Sequence, residues 1–467
     1  MYDLTLGQIC EIVGGKLIGD PAIQVTGISI DSRLSASGDL FAAIVGDRVD
    51  GHDYVVQAVS KGASALLTSK QVEGSQVIVP ASPDNLDPVI HAIAKISTHV
   101  RSLMRGVEVI GITGSSGKTS TKDMIGQVLS HAATTHAPAG SQNNELGLPL
   151  TLLSAPRDVK FLVAEMGMRG VGHITHLCEI AQPTIGVITN VGRAHIGEVG
   201  SIEGIAKAKS ELVKAIKPSG VVVLNADDER VMAMRALTEA TVFTYGFSSA
   251  ADVRAENLQL TTYGSYTFDL VYRGERIQTS IPMLGEHNVL NALAAAAVGI
   301  AVGMEVTEIA RALTKLKQMS KWRMEVHQVP GNVTIINDAY NANPESMTAA
   351  LETLKAIPAA GKKFAVLGKM HELGDASDAI HAQIAKLAIE LGVSHVVAVG
   401  EAAKAYGLPG ITDQKSVWLP DFDSACDYIV KEVNSGDILL FKASRAEQFE
   451  VLADRIEVVL RAKWGQQ

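Results

Sequence analysis

Cysteine is scarce in this chain. There are three, Cys10, Cys178 and Cys426, far apart and odd in number, with no CxxC pair. That excludes a disulfide framework and a structural zinc site, and it fits a reducing compartment with each thiol buried as a small core side chain. Basic charge is also short: 41 Lys and Arg face 50 Asp and Glu, a net charge of -9. A general nucleic-acid binder would show a basic surface instead. A phosphate ligand is not excluded, because its site needs only local donors and cations. Long hydrophobic runs are missing as well. The longest, Ala292 to Met304, is Ala- and Gly-rich and falls short of the ~20 residues of a membrane span. The N-terminus, MYDLTLGQICEIVGG, has neither the basic start nor the apolar core of a secretion signal, so a cytoplasmic protein is expected. No internal repeat or low-complexity tract stands out.

What is present is length and alternation. The chain has 467 residues, too many for one core and enough for about three domains. The first segment mixes short β-type runs (IQVTGISI, DLFAAIVG, SALLTS, SQVIVP) with turn signals. The Pro/Asp/Asn cluster from Ala81 to Pro88 reads as a linker, and a helix is expected over Val89 to Leu103. Apolar strands then alternate with helix-length segments: VEVIGIT, FLVAEMG, TIGVITNVG and VVVLNADD. Continuous apolar strands with crossover helices imply a parallel sheet covered on both faces. A β-rich stretch follows at Val253 to Ile281, then a helix at Val289 to Val302. From Thr334 a second alternating series begins (VTIIND, KKFAVLG, SHVVAVG, DILLF), as in a doubly wound domain. The reading is α/β in three domains: a small α/β N-terminal domain over residues 1–84, a central ATPase domain of phosphate-loop type with a parallel sheet over 85–314, and a Rossmann-like doubly wound domain over 315–467.

The strongest local signal is GITGSSGKTS, Gly111 to Ser120, which follows an apolar strand and opens a helix. Gly114 and Gly117 let the backbone turn its N–H groups toward phosphates, and the helix N-terminus adds positive potential. Thr113, Ser115, Ser116 and Ser120 flank them. Lys118 would reach the β- and γ-phosphates, and the Thr119 hydroxyl would ligate magnesium. Ile112 stands where the standard pattern has its first Gly, while the core TGxxGKT is intact.

The strict TGSSGKTS form resembles the Mur ligase family. The stretches SQNNELGLPLTLL, VAEMGMRGVGHI, ITNVGRAHIGEVGS, AKAKSEL, GEHNVLNALAAAA and NDAYNANPESM extend the resemblance from about Asp31 to Arg445, toward the members that add D-alanyl-D-alanine to UDP-N-acetylmuramoyl-tripeptide in peptidoglycan synthesis. The resemblance implies ATP, two magnesium ions and an acyl-phosphate route to a peptide bond. It also implies a monomer working in cell-wall biogenesis, and so in cell shape and division.

Residue by residue, the resemblance makes Glu165, His195 and Thr119 metal ligands and gives Lys118, His195, Lys209 and Arg323 catalytic roles. Lys209 would carry a carbamate, an anionic ligand for magnesium. Lys207 lies on the same helix about 200° away, so only one of the two faces the site. Asn288 and Asn291, three apart on one helix face, would read adenine, although Asn288 also suits a helix cap. Arg323 would reach the γ-phosphate from the third domain, and Asp338 would accept from the ribose. Tyr340, Asn341 and Asn343, with Asn143, Asn144 and Glu145, would meet nucleotide or dipeptide. Lys442, Ser444 and Arg445 would hold the dipeptide carboxylate. Ser32, Arg33, Asp50, Gly51 and His52 would hold the UDP end, though these also make ordinary turns. Lys369 sits where many relatives would have an acidic residue. No single domain holds a complete site, so an open arrangement is expected without ligands, with rotation of the third domain assembling the site when nucleotide and precursor bind. Two other readings stand beside this one. A folylpolyglutamate-type ligase shares the middle domain but would lack NNELGLPLTLL. A nucleotide switch needs a guanine-reading motif, which the chain does not have.

Overall fold

The structure is a computed structural model that describes residues 2–83, 86–194, 196–262, 264–407 and 416–465. Among these, the chain builds three main sheets, one after another along the sequence. The first has five strands in the order Lys16–Ile18, Gln76–Ile78, Ala65–Thr68, Asp39–Ala42 and Gly27–Ser29, parallel except for the first pair.

The helix Pro88–Leu103 links this unit to the next. Asp87 caps it, Pro88 occupies its first turn, and Val89, Ala92, Ile93, Ile96 and Val100 recur at helical spacing on its buried face. That face joins first-unit residues such as Leu6, Ile9 and Leu40 to Leu148, Leu162 and Leu212 of the central unit in one continuous apolar cluster. Asp87 fixes the junction. Oδ1 accepts from the Val89 and Ile90 N–H groups at 2.8 and 3.2 Å, and Oδ2 accepts from Val45 N–H at 3.1 Å.

The central sheet has nine strands. Its middle runs Val221–Asn225, Ile185–Ile188, Glu108–Thr113, Phe161–Glu165 and Thr135–His136, all parallel. Alternate residues face opposite ways: Val109, Leu162 and Ala164 enter one cluster, Ile110, Ile112 and Val163 the other. Both faces are therefore dry, as continuous apolar strands require. From Glu108–Thr113 the chain first winds to one side of the sheet and then crosses to the other, so the ends of its neighbours diverge there, where such sheets place ligands. The Ala-rich run from Ala292 to Val298 is a fully buried helix segment within Glu286–Ala301. No described helix is long and apolar enough to cross a membrane.

The third sheet runs Glu325–Val329, Val333–Asn337, Ile438–Lys442, Lys363–Leu367, His395–Val399 and Ser416–Leu419. Five strands are parallel, with helices on both faces, while Glu325–Val329 pairs antiparallel at the edge. Two strands go beyond the alternating pattern read from sequence. Ser416–Leu419 is short. Glu325–Val329 is mostly polar, with only Val329 buried, and returns through Pro330–Asn332, where Gly331 and Asn332 take positive φ.

Removing the Asp87 cap tests the junction. Asp87→Ala should lower unfolding stability by about 1–2 kcal/mol, read as a lower denaturant midpoint. An unchanged midpoint would show that other donors and acceptors replace it.

Candidate functional site

The phosphate loop leaves the strand Glu108–Thr113 and enters the helix Lys118–Leu129. Gly114 at φ +155° and Gly117 at φ +78° make the turn. Side chains are also excluded for lack of room. A Cβ on Gly114 would lie 1.7 Å from Thr189 Oγ1, and one on Gly117 would lie 2.7 Å from Asn291 Oδ1. The strand-end segment Thr189–Gly192 holds the loop in shape. Asn190 Oδ1 accepts from the Ser115 and Ser116 N–H groups at 3.1 and 2.9 Å, and Thr189 Oγ1 donates to Ser116 O at 2.7 Å. Gly192 N–H donates to Ser115 Oγ at 2.8 Å.

A cavity of about 260 Å³ opens above the loop. Ser115, Ser116, Gly117, Lys118, Thr119 and Ser120 line one wall, with Glu165, Asn143, Asn288 and Asn291. Arg323, Asp338, Tyr340, Asn341, Asn343 and Lys442 of the third unit line the other. Of the residues singled out in the sequence, these sixteen meet in one place. Ser141, Asn190 and His287 line it too, although the sequence reading did not single them out; each lies inside a quoted motif, and that position was the available signal.

Glu165 ends its strand and is buried. Oε2 accepts from Thr119 Oγ1 at 2.8 Å, while Oε1 accepts from Ser141 Oγ and Asn143 Nδ2, each at 2.8 Å. Thr119 also accepts from Arg323 Nη2 at 2.9 Å. Arg323 lies over the Tyr340 ring, 4.2 Å from its centroid, and its Nε is buried with no hydrogen-bond partner among the described residues. The second and third units meet directly beside this cavity, where the sequence reading expects them open until ligands bind. Ser320 Oγ donates to Asp123 Oδ2 at 2.5 Å, and Lys317 and Gln127 exchange bonds of 2.8 and 3.0 Å.

Electrostatics set the lysines apart. Lys118 donates to Gly114 O at 2.8 Å. Burial pulls its ammonium below the ordinary lysine range; Glu165 opposes this and Arg323 adds to it. Lys209, on the helix Ile202–Ala215, is buried, while Lys207 is exposed. Burial first, then the Lys118 charge, pulls Lys209 well below its usual range, against Glu345. His287 is pushed down to about 4 by burial, so its ring is neutral at neutral pH. His195 lies outside the described residues.

Asn291 Nδ2 donates to Asn288 Oδ1 at 2.9 Å, and Asn288 Nδ2 donates to Leu284 O at 2.8 Å. Lys442 Nζ meets Asp338 Oδ2 at 2.5 Å and Asn341 O at 2.9 Å, so its charge is engaged inside the nucleotide cavity. Ser444 is buried, donating to Ala342 O at 3.3 Å and accepting from His371 N–H at 3.0 Å. Arg445 covers the Trp322 ring at 4.5 Å and pairs with Glu450.

The remaining expected residues lie elsewhere or serve local structure. Asn144 Oδ1 accepts from Gly147 N–H at 2.8 Å at the start of the helix Gly147–Leu153, and Glu145 faces His173 at 3.6 Å. In the first unit, Ser32 Oγ donates to Gln57 Oε1 at 2.6 Å, and Arg33 pairs with Asp31 at 2.6 Å. Asp50, before Gly51, lies between His52 Nδ1 at 2.6 Å and Lys70 Nζ at 2.7 Å. The Lys70 bond, with those of His52, holds its carboxyl below the usual range.

Gly114→Ala should weaken nucleotide binding at least about tenfold, roughly 1.4 kcal/mol, while circular dichroism stays unchanged. Binding equal to wild type would show that the loop does not seat phosphate.

Three family models match the chain in order: the Mur ligase family catalytic domain over residues 24–108, the Mur ligase middle domain over 112–299, and the Mur ligase glutamate ligase domain over 322–445. The chain is 40% identical to the UDP-N-acetylmuramoyl-tripeptide–D-alanyl-D-alanine ligase of Mycobacterium bovis, covering 98% of each chain. It is 34% identical to the Bacillus subtilis enzyme of the same name, covering 98% of this chain and 99% of that one. Among solved structures, it resembles MurF from Acinetobacter baumannii with a TM-score of 0.88 at 30% identity, covering 98% of this chain and 99% of that one. It also resembles the Thermotoga maritima MurF ligase in complex with ADP, with a TM-score of 0.81 at 28% identity, covering 94% of this chain and 99% of that one. With its three units matched in sequence and its relatives aligned end to end, the chain belongs to the Mur ligase family.

Proposed function

We propose that this protein joins D-alanyl-D-alanine to UDP-N-acetylmuramoyl-tripeptide at the expense of ATP, giving ADP, phosphate and UDP-N-acetylmuramoyl-pentapeptide for peptidoglycan synthesis. The observation that carries this is the shared cavity, in which a phosphate loop and a buried glutamate of one unit face an arginine and an aspartate of another.

The chemistry explains the arrangement. The tripeptide carboxylate attacks the γ-phosphorus of ATP, forming an acyl phosphate and releasing ADP. The dipeptide amine then attacks the acyl carbon and displaces phosphate. The first step brings two anions together, so cations must offset their repulsion. Lys118 and Arg323 supply two charges, and the free Arg323 Nε donor suits an anion. Thr119 and Glu165 offer the hard oxygen donors that magnesium prefers; Thr119 keeps one lone pair after accepting from Arg323. When bound, magnesium would neutralise charge between the carboxylate and the γ-phosphate. Asn288, Asn291 and His287 suit the base, and Asp338 suits the ribose. The donors around the phosphate loop sit in a closed cleft, which would exclude water from the acyl phosphate.

Two ions are expected, the second held by His195 and a Lys209 carbamate. A neutral amine adds to CO2, losing a proton, and the burial of Lys209 favours that neutral form. The first unit would bind the UDP end through Ser32, Arg33, Asp50, Gly51 and His52. The third would bind the dipeptide, with Ser444 and Arg445 beside its last parallel strand. A cytoplasmic monomer fits this role.

Phosphate release that requires ATP, UDP-tripeptide and dipeptide together is the defining assay; release independent of the two acceptors would point to a nucleotide switch instead. In that assay Lys118→Ala should abolish turnover with the fold intact. Lys209→Ala should be nearly inactive and partly rescued by short carboxylic acids, while Lys207→Ala turns over normally. A dead Lys207→Ala with an active Lys209→Ala would reverse the assignment of the carbamate.

A further inference from the structure

The helix Pro344–Ala356 starts at the cleft, and two residues of its first turn cross to the central unit. Its cap, Asn343, donates from Nδ2 to Ser115 O at 3.4 Å. Glu345 reaches further, and its Oε1 accepts from the Arg193 N–H at 2.7 Å. Gly192 makes room for that carboxylate. A Cβ on Gly192 would lie 2.4 Å from Glu345 Cδ, 2.6 Å from Oε1 and 2.7 Å from Cγ, and these are its three nearest neighbours. Gly192 is absent from the positive-φ residues, so a side chain here would meet Glu345 and have to displace it, with no backbone strain of its own. Gly192 in turn brackets the Ser115 hydroxyl, which accepts from its N–H at 2.8 Å and donates to its carbonyl at 3.2 Å.

Glu345 Oε2 is buried with no hydrogen-bond partner among the described residues. An unpaired buried carboxylate oxygen is costly, so its persistence asks for a reason. Helix stabilisation alone does not supply one, since a first-turn acid needs only exposure near the helix end to benefit from the dipole.

We propose that Glu345 is a positioning residue that couples closure of the third unit to the phosphate loop: seated against Gly192 and bonded to Arg193, it fixes the 190–193 segment and, through Gly192, the Ser115 hydroxyl. The activity readout rests on the ligase reading; nucleotide affinity and the distance between the units do not, and they report on the latch even if that reading fails.

The experiment uses four full-length variants: Glu345→Ala, Glu345→Gln, Gly192→Ala and the Gly192→Ala/Glu345→Ala double. Each is measured for kcat, for KM of ATP, for affinity toward a fluorescent ADP analogue, and for separation of the units by a dye pair on the second and third units. Glu345→Ala should lose about tenfold in kcat/KM, the scale of one charge-assisted hydrogen bond, with a larger mean separation. Glu345→Gln, which keeps an oxygen for Arg193 N–H, should restore most of that loss. Gly192→Ala should be impaired at least as much as Glu345→Ala. The double variant should exceed Gly192→Ala alone, because removing the carboxylate gives the new methyl its space. A double variant no better than Gly192→Ala would overturn the contact. Glu345→Gln as impaired as Glu345→Ala would overturn the latch in favour of a purely charge-based role. Wild-type separation and affinity in Glu345→Ala would overturn the coupling.

Discussion

The Thr119 hydroxyl joins the two halves of the site. It donates to Glu165 on its own unit and accepts from Arg323 on the next. Everything nearby is arranged to keep those three groups in place. Ser141 and Asn143 fill the second oxygen of Glu165, so both carboxylate oxygens accept from donors. Tyr340 supports the Arg323 guanidinium from one face, which limits its freedom without consuming its donors. Removing one partner of such a buried set costs several kcal/mol, because a charge is left unpaired. The geometry of closure is thus written in a single side chain of the phosphate-loop helix.

Net charge and local charge point in opposite directions here. The chain carries -9 overall, yet Lys122 and Lys209 are buried and Lys118 half-buried around the phosphate loop. Lys122 is paid for within its own unit, by Asp123 at 2.9 Å and by the Gly140 carbonyl at 2.7 Å. Lys118 and Lys209 instead oppose one another, and the acids that offset them come from different units: Glu165 from the second, Glu345 from the third. A cluster of this kind favours an anionic occupant, and it favours the closed arrangement, in which the third unit brings its acid near. The acidic surface elsewhere is compatible with both, since screening limits its reach to about 10 Å at moderate salt.

The sequence exposed the parts of the site that repeat a local rule. Strand, glycine turn and helix identify the phosphate loop. Helical phase separates Lys209 from Lys207, and a spacing of three pairs Asn288 with Asn291. It was less informative where a residue acts across the fold. Asn190 shapes the loop from a neighbouring strand end, 74 residues from Ser116, and only its place inside the stretch ITNVGRAHIGEVGS marks it. Glu345 looks like an ordinary first-turn acid until the Gly192 backbone is set against it. Asn144 read as a substrate contact, and in the fold its side chain serves the helix that follows. The strand Glu325–Val329 lies outside the apolar pattern because it is an edge strand, with Glu325, His327 and Gln328 polar and only Val329 buried, unlike its continuously apolar neighbours, although the Gly331-Asn332 turn marks the hairpin.

The Ala-rich run shows how composition becomes geometry. As sequence it was only an apolar stretch too short for a membrane. In the fold its small side chains let the helix Glu286–Ala301 lie close along the phosphate-loop helix, both contributing to one buried cluster. That closeness lets Asn291 Oδ1 accept from Thr121 Oγ1 at 3.1 Å and makes Gly117 the only residue type that fits beneath it. Larger side chains would push the helices apart and with them the two ends of the nucleotide cavity. The central unit therefore sets the distance from Asn288 and Asn291 to the phosphate loop by helix packing. The third unit adds Arg323, Asp338 and Lys442 as side chains hung across that span. Such a division lets a nucleotide settle on one rigid unit while the other remains free to move, so that closing contributes charge to a site whose dimensions are already fixed.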